Sequence, residues 1–121
     1  MSKSEHYIQD EIRLALSQYG IVYRLNSGKA YGGQRVWDNR RGEYILTNLK
    51  TIALCPPGTS DLMFIGRNGK VAWIECKDSK GKLRPEQEQF LKVMREYGYA
   101  AGVARSVENA LKIIGVEIIN G

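Results

Sequence analysis

Pro57-Gly58-Thr59-Ser60-Asp61-Leu62-Met63-Phe64-Ile65 and Val71-Ala72-Trp73-Ile74-Glu75-Cys76-Lys77, joined across Arg67-Asn68-Gly69-Lys70, decide the fold of this chain. Two short apolar runs flank an Asn-Gly pair, which predicts an antiparallel hairpin. Folding back about that turn lays the start of the first run beside the end of the second, so Asp61 and Glu75 become neighbours. Side chains alternate along a strand, so Glu75 and Lys77 share a face. Two carboxylates and an ammonium at one strand edge make a candidate divalent-cation site with a base or electrophile beside it.

The rest of the composition is compatible with that chemistry and excludes others. At 121 residues and 43% hydrophobic, the chain is long and apolar enough for one packed domain spanning 1–121. No apolar run approaches membrane-spanning length, and Met1-Ser2-Lys3-Ser4-Glu5 is not a signal peptide, so a cytoplasmic protein is expected. One His and two separated cysteines do not make a zinc site, and Cys55 and Cys76, each inside an apolar run, are expected as buried thiols. The net charge is +5, and residues 20–84 carry twelve Lys/Arg against five acids. The basic surplus therefore surrounds the two carboxylates, an arrangement suited to holding a polyanion near a metal.

Along the chain, Ser4 caps a helix to about Tyr19, with Ile8, Ile12, Ala15, Leu16 and Tyr19 as its apolar stripe. Glu5 falls inside that stripe, where the first turn of a helix favours negative charge. A strand is expected over Ile21–Leu25. Residues 29–56 read as an irregular β insertion: a flexible loop over Lys29–Gly33, pairing of Gln34–Trp37 with Tyr44–Leu46, and a separate short strand over Lys50–Leu54. Strands are expected next over Asp61–Ile65 and Lys70–Lys77. Pro85, Glu86 and Glu88 open a helix to about Tyr97, with Phe90, Leu91, Met94 and Tyr97 on its apolar side. A strand over Tyr99–Ala104, a helix over Val107–Ile114 and a strand over Val116–Ile119 complete an α/β order, a central mixed sheet flanked by helices.

An acid-x-Lys triplet recurs by chance, and Asp78-Ser79-Lys80 is a second one here. The combination is more specific. Glu5 with Ile8-Gln9 on the first helix, Gly58-Thr59-Ser60-Asp61, Glu75-Cys76-Lys77 and Pro85-Glu86-Gln87 together resemble the virus-type replication-repair nuclease (VRR-NUC) domain, a branch of the PD-(D/E)xK nuclease superfamily with a restriction-endonuclease-like core. The resemblance runs from about Glu5 to Ala110. It implies Glu5, Asp61 and Glu75 as metal-binding carboxylates, the Cys76 carbonyl as a further ligand, Lys77 as the catalytic lysine, and Gln87 as the family glutamine. Glu11 stands as the alternative to Glu5, and Gln89 to Gln87. Ser60 occupies the place of the proline often found before the family's Asp.

The function this resemblance implies is that of a Mg²⁺- or Mn²⁺-dependent DNA endonuclease. Stand-alone members of the family resemble Holliday-junction resolvases and tend to be homodimers, which implies action on branched DNA in repair, in a bacterial or phage-infected host cell. Arg24, Asn26, Ser27, Lys29, Arg35, Arg40, Arg41, Lys80 and Lys82 are the candidate phosphate contacts, and Tyr31 and Trp37 are candidates for stacking on bases. The alternative from another class is a non-catalytic nucleic-acid-binding module on the same fold.

Overall fold

The computed structural model describes residues 3–27 and 29–116. Its body is a four-stranded mixed sheet in the order β1-β4-β5-β6, built from β1 (Gly20–Arg24), β4 (Leu62–Gly66), β5 (Val71–Cys76) and β6 (Ala100–Ala104). β1, β4 and β5 pair antiparallel; β6 runs parallel to β5, and helix α2 (Pro85–Glu96) makes the crossover a parallel pair requires. Helix α1 (Glu5–Leu16) and helix α3 (Val107–Ile113) cover one face. The core lies there: Ile8, Ile12 and Leu16 of α1 meet Leu62, Phe64, Ala72, Ile74 and Cys76 of the hairpin, with Ala104 and Ala110. Alternation explains the set, since Leu62 and Phe64 point one way, as do Ala72, Ile74 and Cys76.

The hairpin turn has a three-residue form. Gly69 N–H donates to the Gly66 carbonyl at 2.9 Å, and Gly66 N–H to the Lys70 carbonyl at 2.8 Å. Arg67 and Asn68 form the corner, and Gly69, at φ +81°, takes the left-handed position. The Asn68 side chain accepts from Lys70 N–H at 3.1 Å and closes the loop locally.

Several expectations need correction. Residues 29–53 are not irregular: β2 (Lys29–Asp38) and β3 (Glu43–Ala53) form a second, two-stranded sheet. The expected loop at Lys29–Gly33 is strand, and the short strand at Lys50–Leu54 is the end of β3. The single irregularity is a register shift between Gly32 and Gln34, where Asn48 on β3 adopts φ +52°. Helix α1 stops at Leu16, short of Tyr19, and Tyr19 is exposed rather than part of the core stripe. On α2 only Leu91 is buried, and Tyr97 is exposed. Cys55 is only partly buried, whereas Cys76 is buried. Of the strand expected over Val116–Ile119, all but Val116 lies outside the described residues.

The other face of the sheet is half covered. Trp73 packs edge-on against Phe90 of α2 and against Tyr99, with ring centroids 5.5 and 6.3 Å away. Over β1, the described residues leave Ile21 and Tyr23 exposed on that face. No helix among the described residues is long and apolar enough to cross a membrane.

Gly58 fixes the approach to the site. Its φ is +92°, and a Cβ there would lie 2.4 Å from the carbonyl oxygen of Glu86 in the first turn of α2. The loop before Asp61 can therefore pack on α2 only without a side chain at this position. Gly58→Ala is expected to lower unfolding stability by about 2–4 kcal/mol, combining left-handed strain with overpacking. Urea denaturation measures this, and a loss below about 0.5 kcal/mol contradicts the tight approach.

Candidate metal centre

The open end of the hairpin carries the site. Leu62 pairs with Ile74 at the end of the β4–β5 ladder, so the next facing positions are Asp61 and Glu75. Asp61 lies just before β4 and is fixed from both sides. Its Oδ2 accepts the backbone N–H of Cys76 at 2.8 Å, and its carbonyl accepts the N–H of Leu25 at 2.7 Å. Ser60, buried in the place of the family proline, donates its hydroxyl to the Leu62 carbonyl at 3.0 Å and holds the turn into the strand.

Glu5 comes to the same point from α1. The Ser4 hydroxyl accepts the Tyr7 N–H at 3.1 Å and starts the helix, which puts Glu5 in its first turn. One carboxylate oxygen each from Glu5, Asp61 and Glu75 lie within 4.8 Å of one another. Glu11, the alternative helix acid, instead binds Lys3 Nζ at 2.9 and 3.1 Å.

Lys77 shares the face of Glu75 and is only 7% exposed. Its Nζ lies 3.9 Å from Glu75 Oε1 and 4.0 Å from Glu5 Oε1. The ammonium is thus a neighbour of the carboxylate cluster. Its backbone N–H donates to the Ala104 carbonyl at 3.1 Å, extending the parallel ladder one step past β5.

Gln87 joins this group through two bonds. Its Nε2 donates to Glu75 Oε1 at 3.1 Å, and its Oε1 accepts the N–H of Arg84 at 2.9 Å. The same side chain caps α2 and holds Glu75, so the helix start and the site are one structure. Gln89, the alternative, is exposed. The Cys76 side chain lies in the core, and burial, then the carboxylates of Asp61, Glu75 and Glu5, push its thiol well up. A thiolate ligand is therefore disfavoured, which leaves only the backbone of Cys76 for the site.

Glu75 is the strained member. It is 2% exposed, and its Oε2 is buried without a hydrogen-bond partner among the described residues. Burial and the Asp61 carboxylate raise its pKa from 4.5 to about 8; Lys77 opposes the shift and Glu5 adds to it. A divalent cation would answer both problems, satisfying the orphan oxygen and offsetting the repulsion among three acids. Three carboxylates without imidazole or thiolate form a hard oxygen donor set, which fits Mg²⁺ or Mn²⁺.

The candidate nucleic-acid contacts fall into three places. Arg24 ends β1, and Asn26 and Ser27 come after it at the root of the β2–β3 sheet, where the Asn26 carbonyl accepts Cys55 N–H at 2.9 Å. Lys80 and Lys82 are exposed on the loop after Lys77. Lys29 opens β2, and Arg35 lies on that strand, its guanidinium 3.8 Å above the Tyr44 ring. Sequence reading misses Arg105, whose guanidinium donates to the carbonyls of Asp78 and, at 2.7 Å, Gly81. It ties the end of β6 to the loop beyond Lys77. No local pattern marks such a bond, because its partners are backbone carbonyls 24 and 27 residues away.

Glu75 also makes stability depend on pH. Its pKa is about 8 in the folded chain against 4.5 ordinarily, so between those values the folded state binds more protons. Metal-free stability should therefore fall as pH rises from about 5 to 8. Added Mg²⁺ or Mn²⁺ should restore stability most at the upper end, because the ligand is the carboxylate. Glu75→Gln should flatten the slope and abolish the metal-dependent gain. Denaturation series in EDTA and in Mg²⁺ measure both effects; equal slopes for the two proteins contradict the assignment.

The family model of the VRR-NUC domain matches residues 3–108. No curated protein matches the sequence. A solved structure of a VRR_NUC domain superposes with a TM-score of 0.59 at 20% identity, covering 93% of this chain and 96% of that one, and so shares the fold. The match spans every element from α1 to β6 and each member of the carboxylate-lysine cluster, and a domain of this kind carries a nuclease-type fold. The chain belongs to the VRR-NUC domain family.

Proposed function

We propose that this protein is a divalent-metal-dependent DNA endonuclease that hydrolyses phosphodiester bonds and selects branched DNA. The observation that carries the reading is the convergence of Glu5, Asp61 and Glu75 within 4.8 Å, beside a buried Lys77. Those three carboxylates, with the Cys76 carbonyl, would hold Mg²⁺ or Mn²⁺. When bound, the ion supplies Lewis acidity toward a phosphate oxygen and lowers the pKa of a water ligand.

The remaining roles belong to the chain. Lys77 presents its ammonium to a non-bridging phosphate oxygen and stabilises the charge that develops as water adds to phosphorus and the bond to the leaving oxygen breaks. Asp61 is kept in place by the Cys76 N–H. Gln87 orients Glu75 and locks it to the start of α2. Arg24, Asn26, Ser27, Lys80 and Lys82 would contact the backbone phosphates on either side, which gives register without reading sequence.

Branched-DNA selection and dimerisation belong to the same proposal. The exposed Ile21 and Tyr23 on the half-covered face offer apolar area for a second copy to bury. A two-fold dimer would present two sites to a four-way junction of matching symmetry.

Cleavage assays on a four-way junction and a matched linear duplex test the proposal. Cutting should require Mg²⁺ or Mn²⁺, stop with EDTA and prefer the junction. Glu75→Ala and Lys77→Ala should each lower the rate by about 10²-fold or more. Undiminished cutting by either variant contradicts the mechanism. Tight, salt-sensitive DNA binding without cleavage at any divalent metal would identify a binding module instead.

A further inference from the structure

We propose that the β2–β3 ribbon is a DNA arm that lies in the major groove of a B-form duplex to one side of the bond to be cut, using its Arg35–Tyr44–Trp37 face and its Arg40–Arg41 tip. This deepens the nucleic-acid part of the reading above and rests on it for the substrate class.

The ribbon is structurally unusual. Its strands pair with each other from Lys29↔Ala53 to Asp38↔Glu43, and neither packs to any extent on another element. A two-stranded sheet alone is marginal in water. This one also carries its large side chains outward: Trp37 is 53% exposed and Tyr44 57%. Both strands gain if something covers them.

Charge selects the partner. Residues 29–53 hold five cations, Lys29, Arg35, Arg40, Arg41 and Lys50, against two acids, Asp38 and Glu43. Asp38 is taken up by its own turn, accepting the N–H of Arg40 at 2.9 Å and lying 3.8 Å from Arg41 Nε. Among the described residues no carboxylate lies within ion-pair distance of Arg35, Arg40 or Lys50. A second copy of a +5 chain would bring like charges together on this surface, whereas a polyanion neutralises them.

Shape narrows the polyanion. The Arg35 guanidinium is stacked 3.8 Å over Tyr44, and Trp37 stands edge-on to the same ring at 5.1 Å. The fork is thus held in a fixed plane, as phosphate or guanine recognition requires. At about 3.3 Å per residue the ten-residue β2 extends roughly 30 Å, close to one turn of B-DNA. A major groove of about 12 Å admits a two-stranded ribbon, and the deep, narrow groove of A-form RNA does not. The arm is rooted at the site: the Cys55–Asn26 bond closes its base, and the adjoining Leu25 binds Asp61. The Arg35–Trp37–Tyr44 cluster and the tip lie six or more residues out from that root, so the arm would grip the duplex about 20–30 Å, up to about one turn, from the carboxylates.

Equilibrium binding in EDTA tests the arm separately from cutting, so a chain that cleaves nothing can still pass and one that cleaves can fail. The variants are R40Q/R41Q and the quadruple R35Q/R40Q/R41Q/K50Q, with K92Q/K112Q on α2 and α3 as control. The probes are a labelled DNA duplex and an RNA duplex of the same sequence, titrated over about 50–200 mM salt. The quadruple variant should bind the DNA duplex about tenfold or more weaker, with the salt slope flattened by roughly 0.9 per lost phosphate contact. RNA binding and the control should change little, and thermal melts should be unaltered. Unchanged DNA affinity and slope overturn the proposal. So does equal loss on RNA, which removes the groove argument. So does light scattering showing that the variant has lost a dimer, which would make the ribbon an interface between copies.

Discussion

Glu75 is a carboxylate placed where water does not reach, with two other acids at hand and one oxygen that nothing in the described chain satisfies. Burying a charge without a partner costs several kcal/mol, so this arrangement is tolerable only if something offsets it. Lys77 offsets part, at 3.9 Å, and Gln87 donates one hydrogen bond. Without a metal the raised pKa keeps Glu75 largely protonated near neutral pH; ionised, it leaves three acids against one ammonium, an excess of negative charge that a divalent cation would remove. The surrounding structure is organised to hold this unfavourable group. The hairpin brings Asp61 opposite it, the cap of α2 grips it, and the first turn of α1 adds Glu5.

That dependence explains why the centre of the site is legible in the sequence and its edges are not. Strand alternation and an Asn-Gly signal are local, and they are enough to fold Asp61 back toward Glu75 and to put Lys77 on the face of Glu75. The register is not: a two-residue turn at Asn68-Gly69 would set Asp61 opposite Cys76, and it is the three-residue turn from Arg67 to Gly69 that sets it opposite Glu75. The choice between Glu5 and Glu11 is not local. Both lie on α1, and only the packing of that helix against the hairpin shows that Glu5 meets the cluster while Glu11 is tied to Lys3. Gln87 is recognisable as a helix opener, but its bond to Glu75 joins residues twelve apart on different elements. The ribbon is obscured by its own composition. Gly32 and Gly33 read as loop, and the register shift there breaks the alternation that would mark one continuous strand. The helical period continues through Tyr19 and places it in the core stripe, yet the chain leaves the helix after Leu16 to enter β1.

The two sheets divide the work between rigidity and reach. The four-stranded body holds its charged groups through short backbone bonds: Cys76 to Asp61, Lys77 to Ala104, and Arg105 to the loop beyond. Catalytic groups need such support, because small misplacements weaken electrostatic stabilisation steeply. The ribbon has no such support beyond its root, and its side chains face outward. A paired arm on a fixed anchor can adjust to whatever covers it without disturbing the carboxylates.

The claim that a metal is held by Glu5, Asp61 and Glu75 is tested most directly by anomalous diffraction from crystals soaked in Mn²⁺. The account predicts one peak or a close pair, within coordination distance of a carboxylate oxygen from each of the three residues, with Lys77 adjacent but not ligating. No peak at this point, or one held by other acids such as Asp78 and Glu86, would contradict it.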